Sequence, residues 1–135
     1  MVTAKRINSK DAWLFLKEEN DSVLVDVRTP EEWESIGKPD LSAINKKVLF
    51  IPWILLPDGK QNPVFFSVLQ QEIKNKATAL LFICKSGARS EGASVYALAH
   101  GYTNCFNVID GFEGDALGVR TGWRRNLLPI LTGSI

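Results

Sequence analysis

The chain has 135 residues, 45% of them apolar and including seven Phe and four Trp, which is material for one packed core; with no internal repeat, one domain is expected over 1–135. Sixteen basic and fifteen acidic residues leave a net charge of +1, which gives neither nucleic acid nor an anionic membrane a reason to bind. No apolar run approaches the roughly 18 residues of a membrane span, the first twenty residues lack a signal peptide's apolar centre, and two cysteines are too few for a disulfide framework, so a reducing, cytoplasmic setting is expected.

Ser9 is placed to cap a helix running to about Glu19, with Trp13, Leu14 and Leu16 toward the core. Val23–Val27 is β-branched and reads as a strand. Pro30 suits a first helical position, and Glu31 and Glu32 suit the positive end of that helix dipole. Val48–Ile51 reads as a strand stopped by Pro52. Pro57, Asp58 and Gly59 mark Leu55–Asn62 as a surface loop. Pro63–Lys76 has Phe65, Phe66, Leu69 and Ile73 at helical spacing. Ala79–Ile83 is an unbroken apolar strand that leads into Cys84. Arg89–His100 reads as a helix with Ala93, Tyr96 and Ala97 inward and Gly101 as its stop. Cys105–Ile109 is a further strand. Continuous apolar runs alternating with helices suit parallel strands covered on both faces, hence an α/β layer fold.

The segment Cys84-Lys85-Ser86-Gly87-Ala88-Arg89-Ser90 joins a buried strand to a helix, and ligands of open α/β sheets bind beyond the carboxyl ends of strands. A helix N-terminus has unpaired N–H groups and partial positive charge, and Gly87 lets a tight loop gather such groups into one concavity. Lys85 and Arg89 add charge. The expected product is an anion cradle that favours a thiolate over a thiol, with Cys84 as nucleophile. Cys105 lies inside an apolar strand and reads as packing. His100 falls about 15 Å along its helix from Cys84, which weighs against a Cys–His pair. Trp53, just past Pro52, is a candidate lining residue. Asp26 and Arg28 read as scaffold, Glu32 and Glu34 as a solvated helix face, and Arg120, Arg124 and Arg125 as a solvated basic cluster. No metal or cofactor is expected.

At these residues the chain resembles the rhodanese-like sulfurtransferases. The loop Cys84–Ser90 looks like the family's active-site loop. Leu24–Arg28 with Pro30–Trp33, Val48–Pro52, and Asp110–Gly114 followed by Gly122-Trp123 and Leu128-Pro129 match its other segments in order, over roughly residues 5 to 130. The resemblance implies a three-layer α/β/α fold around a mostly parallel sheet of about five strands. Two departures stand out: Lys38-Pro39-Asp40-Leu41 replaces a usual His-Ile, and Lys85 stands where Arg is frequent, keeping charge without a planar fork. The chain also has extra residues between Gly114 and Trp123.

The resemblance implies sulfur transfer in two displacements through a persulfide on Cys84. The backbone of Lys85, Ser86, Gly87, Ala88 and Arg89 would bind a small sulfur-containing anion. A thiol or cyanide-like acceptor, including a protein acceptor, would remove the sulfur. Arg89 either binds anion or shapes the loop. The rivals are a cysteine phosphatase or arsenate reductase, whose Cys-x5-Arg loop is one residue longer than the Cys-x4-Arg seen here, and a non-catalytic binding or redox-sensing module.

Overall fold

The computed structural model describes residues 3–115 and 117–132. In chain order the elements are β1 (Lys5–Ile7), α1 (Ser9–Glu18), β2 (Ser22–Asp26), α2 (Pro30–Ile36), β3 (Lys38–Pro39), β4 (Leu49–Phe50), β5 (Ile54–Leu55), β6 (Lys60–Gln61), α3 (Phe65–Glu72), β7 (Ala79–Ile83), α4 (Ala88–Ala99), β8 (Cys105–Val108), α5 (Gly122–Arg125) and β9 (Ile130–Leu131).

Five strands form the central sheet in the order β1-β8-β7-β2-β4. Every pairing within it is parallel. Strand β7 is the middle strand and every one of its residues is buried. Side chains alternate across the sheet. Val25, Leu80, Phe82, Cys84 and Cys105 face one layer with Phe65 and Leu69 of α3 and Ala93 and Ala97 of α4. Leu24, Leu81, Ile83 and Val108 face the other, with Ala12 and Leu16 of α1 and Trp123 of α5. Burying each such Leu, Ile or Phe contributes about 1.5–3 kcal/mol. The three-layer fold with a parallel five-strand sheet is therefore as expected.

Local details differ. Asn8, not Ser9, caps α1: its side chain accepts the N–H of Asp11, while Ser9 is drawn to Asp110. Ala12 takes the inward position and Leu14 is exposed, because α1 lays only one narrow stripe on the sheet. Leu55–Asn62 is not a plain loop. It folds as the antiparallel hairpin β5–β6, and Asn62 ties its base by donating to the Pro52 carbonyl. The strands β1, β3 and β9 escape the pattern because they are two or three residues long and mostly at edges. Lys38-Pro39, the departure noted above, pairs with β9 away from the main sheet.

Candidate functional site

The cysteine loop begins where β7 ends. Cys84 is 1% exposed, at the floor of a turn whose Lys85, Ser86 and Ala88 are exposed above it. Gly87 donates its N–H to Cys84 Sγ at 3.1 Å. It holds φ at +108°, and a Cβ there would lie 2.5 Å from the Ile109 carbonyl oxygen, so only glycine lets the loop double back this tightly. The next residue opens α4, whose first turn supplies N–H groups with no intrahelical acceptor. Of the N–H groups expected to gather at the sulfur, that of Gly87 is hydrogen-bonded to it.

A second set of contacts orients the sulfur. Ser90 Oγ stands 3.2 Å from Cys84 Sγ and donates its only proton to Asn107 Oδ1 at 2.6 Å. Asn107 is itself fixed, donating Nδ2–H to the Gly87 carbonyl at 3.1 Å. A hydroxyl has one proton, so in this arrangement Ser90 accepts from the thiol. Rotation of the same hydroxyl lets it donate to a charged sulfur. Asn107 was missed from sequence. It lies on β8, seventeen residues from Ser90, and only the β7–β8 pairing brings it beneath the loop.

Arg89 points away from the sulfur to α2. Its Nη1 and Nη2 donate to Glu32 Oε1 and Oε2 at 2.6 and 2.9 Å, a bidentate pair. Of the two roles left open, the geometry supports shaping the loop. Glu32 is correspondingly not on a solvated face. It is about one-fifth exposed and also closes a capping box with Thr29, so the helix cap and the loop share one carboxylate. Burial pushes the Glu32 carboxyl up, but the hydrogen bonds from Arg89 and Thr29 and the Arg89 charge outweigh it and hold the group at about 2. The same hydrogen bond raises Arg89 against its burial.

The closing segment pins the loop from behind. Phe112 and Glu113 donate their N–H groups to the carbonyls of Cys84 and Lys85 at 2.7 and 2.9 Å. Gly111 sits directly against the Lys85 carbonyl, where a Cβ would collide. Trp123 and Arg124 then donate to Gly111 and Phe112 at 2.9 and 3.0 Å.

The other candidates fall outside the sulfur's immediate surroundings. Arg28 is fully buried, bonded to Asp26 and to the Gly37 carbonyl, with its guanidinium 4.1 Å from the Phe112 ring centroid. That is scaffold geometry. Trp53 packs its indole on α4 at Gly92 and against Phe65 and Tyr96, forming a wall one turn beyond Arg89. His100 is exposed and stacked on Tyr96. Cys105 is buried, and burial pushes its thiol up to about 12. It pairs with Leu80, four residues before Cys84, so the two cysteines are separated by about 13 Å along the sheet. Both are free thiols. Among the described residues no group of three or more His, Cys, Asp or Glu is placed to hold a metal, and no helix is long and apolar enough to cross a membrane.

Comparison with known proteins places the chain in a family and supports its fold. The family model described as the STR4 middle domain matches residues 5–134. An uncharacterized protein of Rickettsia prowazekii is 40% identical over 128 residues, covering 95% of this chain and 98% of its own. The thylakoid rhodanese-like protein of Oryza sativa is 32% identical over 124 residues, which is 91% of this chain and 24% of that protein. A protein of Allochromatium vinosum named a sulfurtransferase is 27% identical over 125 residues, 93% of this chain and 92% of its own. The crystal structure of Rv0390 from M. tuberculosis superposes with a TM-score of 0.84 at 41% identity, covering 96% of this chain and 98% of that one. With its parallel five-strand sheet and the cysteine loop at the end of β7, the chain belongs to the STR4 middle-domain family and is a rhodanese-like protein.

Proposed function

We propose that the protein is a sulfurtransferase that carries sulfane sulfur as a persulfide on Cys84, in a reducing compartment such as the cytoplasm. The observation that carries this reading is the Gly87 N–H on Cys84 Sγ at 3.1 Å, in a Cys-x4-Arg loop one residue shorter than that of the cysteine phosphatases. In the first step the Cys84 thiolate attacks the terminal sulfur of thiosulfate. A Cys84–sulfur bond forms, the sulfur–sulfite bond breaks, and sulfite leaves with the electron pair. Charge is conserved at minus three. In the second step cyanide or a thiolate takes the outer sulfur and Cys84 leaves as thiolate. The first-turn N–H groups of α4 stabilise the charge on the outer sulfur, Ser90 turns to donate to Cys84, and exposed Lys85 attracts the anionic donor.

The phosphatase reading has less support. Its arginine would bind the phosphoryl oxygens, whereas both terminal nitrogens of Arg89 are engaged by Glu32. A buried sulfur in this shorter loop suits a donor that presents one terminal atom. The relative named a sulfurtransferase supports the same choice.

Intact mass spectrometry after incubation with thiosulfate tests the proposal. The expected result is a gain of one sulfur, removed by cyanide and absent in Cys84→Ser. No adduct, together with phosphate release from an aryl phosphate, overturns it.

A further inference from the structure

The loop that holds Cys84 has a second side. A cavity of about 590 Å³ borders Ser86, Gly87 and Ala88 and is walled by Arg6 of β1 and by Arg120. Arg120 and Ile109 also border an adjoining cavity of about 240 Å³ that reaches Lys10. The two form a cleft leading away from the catalytic loop. Gly87 belongs to both neighbourhoods: its N–H holds the sulfur at 3.1 Å, and its backbone lines the cleft.

The charge of this cleft is net positive, three cations against two carboxylates. The side chains of Arg6, Lys10 and Arg120 have no ion-paired carboxylate among the described residues. Of the two acids on its walls, Asp110 is buried and takes three donors, from Ser9 N–H, Ser9 Oγ–H and Gly122 N–H. Glu91, on α4, is exposed. Excess positive charge along a concave surface attracts anionic groups and speeds their encounter.

The rim is shaped for a macromolecule. The Asp115 carboxylate accepts the N–H groups of Val119 and Arg120. This leaves Leu117 and Val119 88% and 80% exposed. Leu127 follows Asn126 of the same cleft. It is 89% exposed and holds φ at +60°, a left-handed conformation that a leucine adopts at a cost. Three large apolar side chains beside unpaired arginines have the composition of a contact surface whose anchors are displayed before binding. A small anion would use the arginines and leave the leucines idle.

We infer that this cleft and its apolar rim dock a protein sulfur acceptor that presents acidic residues beside its accepting cysteine. The inference rests on the sulfurtransferase reading and supplies its acceptor. The acceptor thiolate attacks the outer sulfur of the Cys84 persulfide. A new sulfur–sulfur bond forms on the acceptor, the bond to Cys84 breaks, and Cys84 departs as thiolate, with no net oxidation or reduction.

The test uses the full chain loaded with thiosulfate and three synthetic peptides, each with one cysteine, flanked by glutamates, by serines and glycines, or by lysines. The glutamate peptide is expected to discharge the persulfide at least tenfold faster than the neutral one at low salt. High salt should erase that advantage, and so should the double variant Arg6→Glu/Arg120→Glu. Leu117→Ser should weaken discharge to the peptide about threefold to tenfold. Discharge to cyanide should change by less than twofold in all variants. Loading and cyanide discharge without any peptide preference overturns the docking surface and spares the proposed function. Anisotropy of labelled peptides with cysteine replaced by serine gives the docking result even where no persulfide forms: equal affinity for the three peptides overturns it. Self-association of the chain that Arg120→Glu abolishes also overturns it, making a second copy the occupant.

Discussion

Arg89 and Glu32 lie fifty-seven positions apart and meet through two parallel hydrogen bonds of 2.6 and 2.9 Å. The pair joins the first turn of α4, behind the cysteine loop, to the first turn of α2. Because Glu32 also caps α2 through Thr29, deforming the loop and fraying α2 become one event.

This pair makes stability pH-dependent in a defined window. Glu32 has a folded value of about 2 against an ordinary 4.5, so the unfolded chain takes up its proton first. The contribution is fully present above pH 4.5 and is lost as pH falls toward 2. Allowing for partial exposure, about 1–2 kcal/mol is expected from it. Urea unfolding of wild type and Glu32→Gln at pH 6 and pH 3 measures this, and the difference between them should shrink at the lower pH. A constant difference contradicts the assignment.

Arg89→Lys keeps the charge but not the fork. Sulfur loading from thiosulfate should fall about tenfold in Arg89→Lys and further in Arg89→Ala, the first costing about 1.4 kcal/mol. If instead Glu32→Gln loads at the wild-type rate while Arg89→Lys does not, Arg89 contacts the anion directly.

Gly87→Ala would force a Cβ against the Ile109 carbonyl at a φ of +108°. A loss of about 2–3 kcal/mol in stability is expected from strain and displacement together, along with loss of persulfide formation. Denaturant unfolding reads the first and mass spectrometry the second.

Ser90→Ala removes the hydroxyl between Cys84 and Asn107. One hydrogen bond to a charged sulfur is worth about 1.5–3 kcal/mol, so sulfur loading should slow about tenfold or more while the fold persists. Stopped-flow rates of loading, with circular dichroism as the control, check it. Unchanged rates would mean that the hydroxyl serves packing alone.

Cys105 should be inert. Its thiol, pushed up to about 12 by burial within β8, leaves Cys84 in the loop as the residue expected to alkylate. Cys105→Ala is expected to lower stability by about 1 kcal/mol and leave sulfur loading intact. Peptide mapping after iodoacetamide treatment decides it, and modification at Cys105 in the native protein refutes it.

Much of the architecture was written in local pattern. The uninterrupted Ala79–Ile83 announced a strand covered on both faces, and it is the middle of the sheet. Pro30 before two glutamates marked the start of α2, one residue after its cap Thr29. Cys84 stood out because a lone polarizable nucleophile followed a buried strand and preceded Gly87 and a helix, all within six residues. Short edge strands were invisible because two or three residues carry no period. The β5–β6 hairpin was read as loop because Pro57, Asp58 and Gly59 report the turn and hide the strands flanking it.

The sequence alone thus determined the candidate cysteine, its place between strand and helix, and the layered fold, since each depends on hydrogen bonding and apolar periodicity among near neighbours. Tertiary structure decided the partners: Glu32 for Arg89, Asn107 for Ser90, Phe112 for the Cys84 carbonyl, and Arg6 beside Arg120 along one cleft. Those contacts join residues many positions apart in the chain. Their energies depend on which strands pair and in which register, and no local pattern encodes that.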